Sequence, residues 1–206
     1  MQYIKGLDAF DGRNHTAVTL GKFDGLHRGH QKLLNRIMKY AQKEDCDSVV
    51  CAFDMDRDCL MTNEERRAFL EDKVDYLIEI PFTKELMEME AEKFIEEILH
   101  KKLHAAHIVV GTDFNFGHEK RGNHQMLEKY AAKYGYTVDV VEKAYYKDRE
   151  ISSTYIRELL LDGNVPLANE LLGYPYEITS VVEHGQQLGR TLGFPTMNLA
   201  PQEKKI

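Results

Sequence analysis

Apolar positions along the chain recur with two periods. Residues 17–20, 49–53, 76–80 and 108–110 form short, continuous apolar runs, the pattern of strands buried on both faces. Between them the spacing lengthens. From Arg28 onward, Leu33, Leu34, Ile37, Met38 and Ala41 return at helical intervals. A second helix is expected over 62–72, capped by Thr62 or Asn63 with acidic residues in its first turn. A third is expected over 85–100, with Phe94, Ile95, Ile98 and Leu99 turned inward and an acidic, solvated outer face. A fourth covers 124–134 and stops at Gly135, a residue suited to a left-handed terminus. Pro81 ends the third apolar run, and residues 136–141 alternate as a further strand. Strands separated by helices imply right-handed βαβ crossovers, hence an α/β fold with a mostly parallel sheet.

The pattern changes after Leu172. Residues 176–182 read as a strand, and Gly185, Gly189 and Gly193 follow at short intervals, which is turn-rich β material. So short a segment cannot close a core of its own. The expected organisation is therefore a domain over 1–172 followed by the start of a second over 173–206.

Charge and composition narrow the function. Of 206 residues, 27 are Lys or Arg and 34 Asp or Glu, a net charge of −7 with no basic tract. That speaks against general nucleic-acid binding but leaves a small anionic substrate open, since local donors decide that. No apolar run approaches a membrane span, and the N-terminus lacks the regions of a signal peptide. Cys46, Cys51 and Cys59 are odd in number and lack metal-ligand spacing, so reduced thiols in a cytoplasmic protein are expected. Oligomeric state is not legible in this pattern.

Three stretches carry candidate chemistry. "GKFDGLHRGH", residues 21–30, stands where the first buried strand hands over to a helix, the place where parallel α/β sheets bind ligands. Its glycines allow close backbone approach, and the helix start offers unpaired N–H groups and a partial positive charge. His27 and His30, three residues apart, can share one face and hydrogen-bond a polyphosphate. A glycine-rich turn with two surface histidines is the equal alternative on spacing alone. In "ISSTYIR", Ser152, Ser153 and Thr154 open another helix, more hydroxyls than one cap requires. Arg157 in its first turn opposes the helix dipole unless an anion is near. "GTDFNFG" follows the fourth run and sets Asp113 and Asn115 among Phe114 and Phe116. It reads either as a pocket rim for a planar ring system or as a tight turn with two core phenylalanines.

Together these stretches resemble the ordered motifs of prokaryotic FAD synthetases, the bifunctional riboflavin kinase/FMN adenylyltransferases. Gly122 and Asn123 extend the second motif, and "GRTLGFPTMNL" resembles the start of that family's riboflavin kinase domain. The resemblance implies a Rossmann-like nucleotidylyltransferase fold followed by the beginning of an incomplete β-barrel. It implies transfer of AMP from ATP to FMN, giving FAD and pyrophosphate, with Mg²⁺ accompanying the nucleotide and no nucleic-acid or membrane partner. His27 and His30 would hold the ATP phosphates and stabilise their developing charge. Gly21, Phe23, Asp24 and Gly29 would form the nucleotide loop, although Asp24 also reads as a turn residue. Ser153, Thr154 and Arg157 would bind the departing pyrophosphate, and Asp113, Phe114, Asn115 and Phe116 would contribute to the flavin and nucleotide pocket. Thr196 and Asn198 match the kinase motif. The rest of that motif's domain, with its catalytic carboxylate, lies beyond Ile206, so the chain, a shortened piece or a gene product without the domain, is not expected to phosphorylate riboflavin. One departure stands out: "FDMDRD", residues 53–58, replaces the family's Phe-x-Pro-His-Pro near the flavin. Two other readings therefore remain open, a different phosphorylated acceptor or a non-catalytic flavin or nucleotide binder.

Overall fold

The computed structural model describes residues 1–12, 14–54, 58–186, 188–200 and 205–206. At its centre is a six-stranded, all-parallel sheet. Its strands are β1 (Gln2–Lys5), β2 (Thr16–Gly21), β3 (Asp47–Phe53), β4 (Tyr76–Ile80), β5 (Ala105–Gly111) and, at the far edge, Thr137–Val141. They lie in the order β1, β4, β3, β2, β5, Thr137–Val141. From β2 the chain winds outward through β3 and β4, then returns to place β5 on β2's other side. Strand order thus reverses between β2 and β5, where the carboxyl ends of an open α/β sheet leave a crevice.

The central strands are apolar because both faces are covered. β2 packs Val18 and Leu20 into one buried cluster and Ala17 into another on the opposite face. Helix α1 (Arg28–Lys43) buries Leu34 and Ile37 against the second cluster. Helix α2 (Asn63–Leu70) starts at Thr62, which with Glu65 forms a reciprocal capping box. The helix His124–Tyr134 ends on Gly135 in the left-handed conformation, as its sequence predicts.

Three elements differ from the sequence pattern. β1 was not apparent, because it is a short edge strand with Ile4 alone fully buried. The expected helix over 85–100 is broken: Lys84–Met87 is one turn, Glu90 is extended, and the chain resumes at Ala91, continuing as a π-helix over Phe94–Lys102. The break has a tertiary cause. The Met89 carbonyl accepts a hydrogen bond from the His118 amide at 2.7 Å, and Gly117 packs directly on Ala91. The expected strand over 176–182 is not formed. Only Val182–Glu183 pairs, antiparallel with Asn198–Leu199, and both pairs are exposed, so no core supports a longer ladder.

Candidate active site

β2 ends at Gly21, and the next turn is folded unusually tightly. Phe23, Gly25 and Leu26 all have positive φ, at 50°, 75° and 36°. Residues 23–27 are buried, and the packing of Phe23 and Leu26 under α1 holds the left-handed conformation that a side chain ordinarily avoids. Gly25 relieves both constraints of this turn: its φ of 75° would strain a side chain, and a Cβ there would lie 2.9 Å from Leu60 Cδ1. The turn delivers His27 to the N-cap position of α1, but its side chain makes no cap hydrogen bond. Instead its ring stacks on that of His30, with centroids 3.8 Å apart and planes 22° from parallel. A Cβ on Gly29 would come within 3.1 Å of the His27 ring, so this glycine makes room for the imidazole.

Both histidines keep an enclosed Nδ1 without a hydrogen-bond partner among the described residues. Burial lowers the pKa of His27 to about 4. It pushes His30 well below its ordinary value too, with the neighbouring His27 adding to the effect. Two neutral imidazoles with unused nitrogens therefore stand at the positive end of a sixteen-residue helix. An anion placed there would supply what burial withholds, a counter-charge for imidazolium.

The third motif folds against the first. Ser152 is the N-cap of the helix Ser153–Leu161, accepting from the Tyr155 amide at 3.2 Å. The Ser153 hydroxyl donates to the Asp24 carbonyl at 2.9 Å, while Thr154 is exposed. The anion that Arg157 requires is internal: Nη2 lies 2.9 Å from Asp24 Oδ2, and Nε donates to the Asp58 carbonyl at 2.9 Å. Asp24 is 3% exposed, and its other oxygen accepts from the Leu60 amide at 2.7 Å. Burial raises the Asp24 pKa, opposed by the Leu60 hydrogen bond and by Arg157.

The second motif divides between core and surface. Phe116 is buried against Phe94, and a Cβ on Gly122 would lie 2.6 Å from its ring. Phe114 is half-buried and stacks on Phe116 at 5.6 Å. Asp113 and Asn115 are exposed: Asp113 pairs with Lys143 at 3.0 Å, and Asn115 donates to the Asp113 carbonyl at 2.7 Å. Asn123 caps the next helix through the Met126 amide. This loop leaves β5 beside the histidine loop at the end of β2, across the crevice. A separate cavity of about 540 Å³, bordered by Met38, Cys46 and Ser48, contains none of these residues.

A model of the FAD synthetase family matches residues 10–155, and one of the riboflavin kinase family matches residues 172–206. The chain belongs to the FAD synthetase family. It is 35% identical over 213 residues to a bifunctional riboflavin kinase/FMN adenylyltransferase of Buchnera aphidicola subsp. Schizaphis graminum, covering 97% of this chain and 68% of that one. A protein of the same description from Haemophilus influenzae is 36% identical, with 97% and 68% covered. Among solved structures, one described as a macrolide-efflux protein from Streptococcus pneumoniae superimposes with a TM-score of 0.88 at 31% identity. That likeness covers 100% of this chain and 70% of the other. No helix among the described residues is long and apolar enough to cross a membrane.

In this FAD synthetase family member, sequence reasoning passed over three side chains that shape the site. Arg66 is 2% exposed and reaches from α2 to the Lys22 carbonyl, Asn63 and Glu79. Its signal was available: it lies four residues before Leu70, on the buried face of α2. Gln31 donates to the carbonyls of Leu26 and Leu172, and Tyr174 donates to that of Gly25 at 2.5 Å. Nothing in the local pattern announces those contacts. Thr196 and Asn198, from the kinase-like motif, are exposed. The altered segment "FDMDRD" lies partly outside the described residues, which omit 55–57.

Proposed function

We propose that the chain is an FMN adenylyltransferase, transferring AMP from ATP to the phosphate of FMN with release of pyrophosphate. The observation that carries the reading is the stacked, neutral histidine pair at the start of α1, in a member of the FAD synthetase family. In the transfer, an FMN phosphate oxygen forms a bond to the α-phosphorus of ATP as the bond to the bridging oxygen of pyrophosphate breaks. Such a reaction needs positioning and charge stabilisation rather than a covalent enzyme intermediate. His27 and His30 present their stacked imidazoles to the phosphates at the start of α1, and gain proton affinity as charge builds beside them. Gly21, Phe23 and Gly29 keep the loop close to the nucleotide. Thr154 and Arg157 meet the leaving pyrophosphate from the neighbouring helix start, with Ser153 holding that start to the loop. Asp113, Phe114, Asn115 and Phe116 border the nucleotide and flavin side.

Magnesium suits this arrangement as a companion of the nucleotide. Among the described residues no group of three or more His, Cys, Asp or Glu side chains could cage a metal, and Asp24 is already engaged. We place the reaction in the cytoplasm, in keeping with an odd number of cysteines whose spacing forms no disulfide framework or metal site. We also place the domain boundary after Leu172, where the last core helix ends on Gly173 in the left-handed conformation.

Incubation with ATP, Mg²⁺ and FMN, with riboflavin in a parallel tube, tests the reading. FAD and pyrophosphate should form in equal amounts from FMN. His27→Ala should lower turnover by about 10²–10³ while changing ATP affinity much less, because the imidazole acts mainly on developing charge. Folded protein that binds ATP but yields no FAD would reject FMN as the acceptor.

A further inference from the structure

We infer that Asp24 is a positioning residue that presents Arg157 to the phosphates of ATP and ties that presentation to the returning 58–60 segment. The inference rests on the adenylyltransferase reading only in naming the reaction; the arrangement of side chains is independent of it.

Asp24 joins three stretches of chain far apart in sequence. Its Oδ1 accepts from Leu60 N, its Oδ2 faces Arg157 Nη2 at 2.9 Å, and its carbonyl accepts from Ser153 Oγ. Arg157 is in turn gripped along one edge. Nε donates to Asp58 and Nη2 to Asp24, while Nη1 has no partner among the described residues. The guanidinium is planar, so fixing two of its nitrogens fixes the third. Its side chain retains 25% exposure, whereas that of Asp24 retains 2%. The carboxylate is thus too enclosed to serve as a ligand for the nucleotide, while the cation it holds is accessible.

The loop itself is secured from the opposite side. Arg66, buried on α2, donates to the Lys22 carbonyl at 3.2 Å, and Gly29 lies beside the Ile151 carbonyl at the start of the third motif. Loss of the Asp24 charge would leave the Leu60 bond available to an Asn oxygen. It would release Arg157 from its fixed orientation, so its five donors would no longer be pre-organised.

A double-mutant cycle with Asp24→Asn and Arg157→Ala tests this, read in kcat and KM for FAD formation and, without FMN, in ATP affinity by calorimetry. Asp24→Asn should reduce kcat/KM by about tenfold or more in the native background and by less than about twofold in Arg157→Ala, because coupled residues are non-additive. An equal loss in both backgrounds would show that Asp24 acts through Leu60 instead, and no loss at all would also overturn the proposal. Wild-type protein that makes no FAD would fail the acceptor reading alone. The ATP-affinity cycle would then decide: coupling between the two sites supports the assignment, and additivity rejects it. A measurement on the wild-type chain guards against variants that do not fold. The Arg157 Nε–H resonance should be sharp and slowly exchanging before nucleotide is added, and a rapidly exchanging one would refute the clamp.

Discussion

At the scale of single residues, the decisive quantity is the proton affinity of the histidines. His27 is 6% exposed and its pKa is lowered from 6.5 to about 4, so the folded state holds it neutral while the unfolded chain protonates it below pH 6.5. Between those values the unfolded state binds more protons, so stability rises with pH there and is lost as pH falls from about 6.5 towards 4. The loss should amount to a few kcal/mol in ligand-free protein at low pH, since each pKa unit is worth about 1.4 kcal/mol. Urea denaturation as a function of pH checks this: replacing both residues, H27Q with H30Q, should flatten the slope in that window. The spacing of His27 and His30 was legible because three residues at a helix start bring two side chains together. Their stacking and neutrality were not, because both depend on the walls that enclose them. Arg157 teaches the same lesson from the other side. Its need for an anion was readable from helix electrostatics, but the anion that meets it is Asp24, 133 residues away in sequence.

At the scale of elements, local chemistry predicted well wherever a cap or a glycine sets the boundary. Thr62 with Glu65 begins α2, and Gly135 ends the helix His124–Tyr134. Glycine matters differently in the second motif. A Cβ on Gly122 would lie 2.6–2.7 Å from three atoms of the buried Phe116 ring. Gly122→Ala should therefore destabilise the fold by about 1–3 kcal/mol through overpacking, visible as a lower denaturation midpoint with an unchanged slope. Of the two phenylalanines in "GTDFNFG", Phe116 follows the core reading, and half-buried Phe114 stacks over it at the motif's surface. The pattern failed where an element is shaped by a distant neighbour. Helical periodicity runs through residues 85–100, yet the chain breaks before Ala91 so that the 117–118 turn can dock there.

At the scale of the whole molecule, the segment after Leu172 is bound to the histidine loop at the end of β2 rather than merely trailing from the core. Gln31 holds the Leu172 carbonyl, and the Tyr174 hydroxyl reaches the Gly25 carbonyl in the centre of the first motif. Tyr174→Phe removes that donor and should cost on the order of 1 kcal/mol, measured by thermal or chemical unfolding. The sequence by itself determined the alternation of buried strands and amphipathic helices, the caps that bound several of them, and the glycine and histidine chemistry at the end of the first long apolar run. These follow from interactions within a few residues: hydrophobic period, dihedral freedom and terminal hydrogen bonds. Only the tertiary structure decided that β5 lies beside β2, that β1 completes the opposite edge, and that Arg66, Arg157 and Tyr174 converge on one loop. Strand order and such convergence arise from the burial of surfaces and charges contributed by distant stretches, and local periodicity carries no record of which stretches those are.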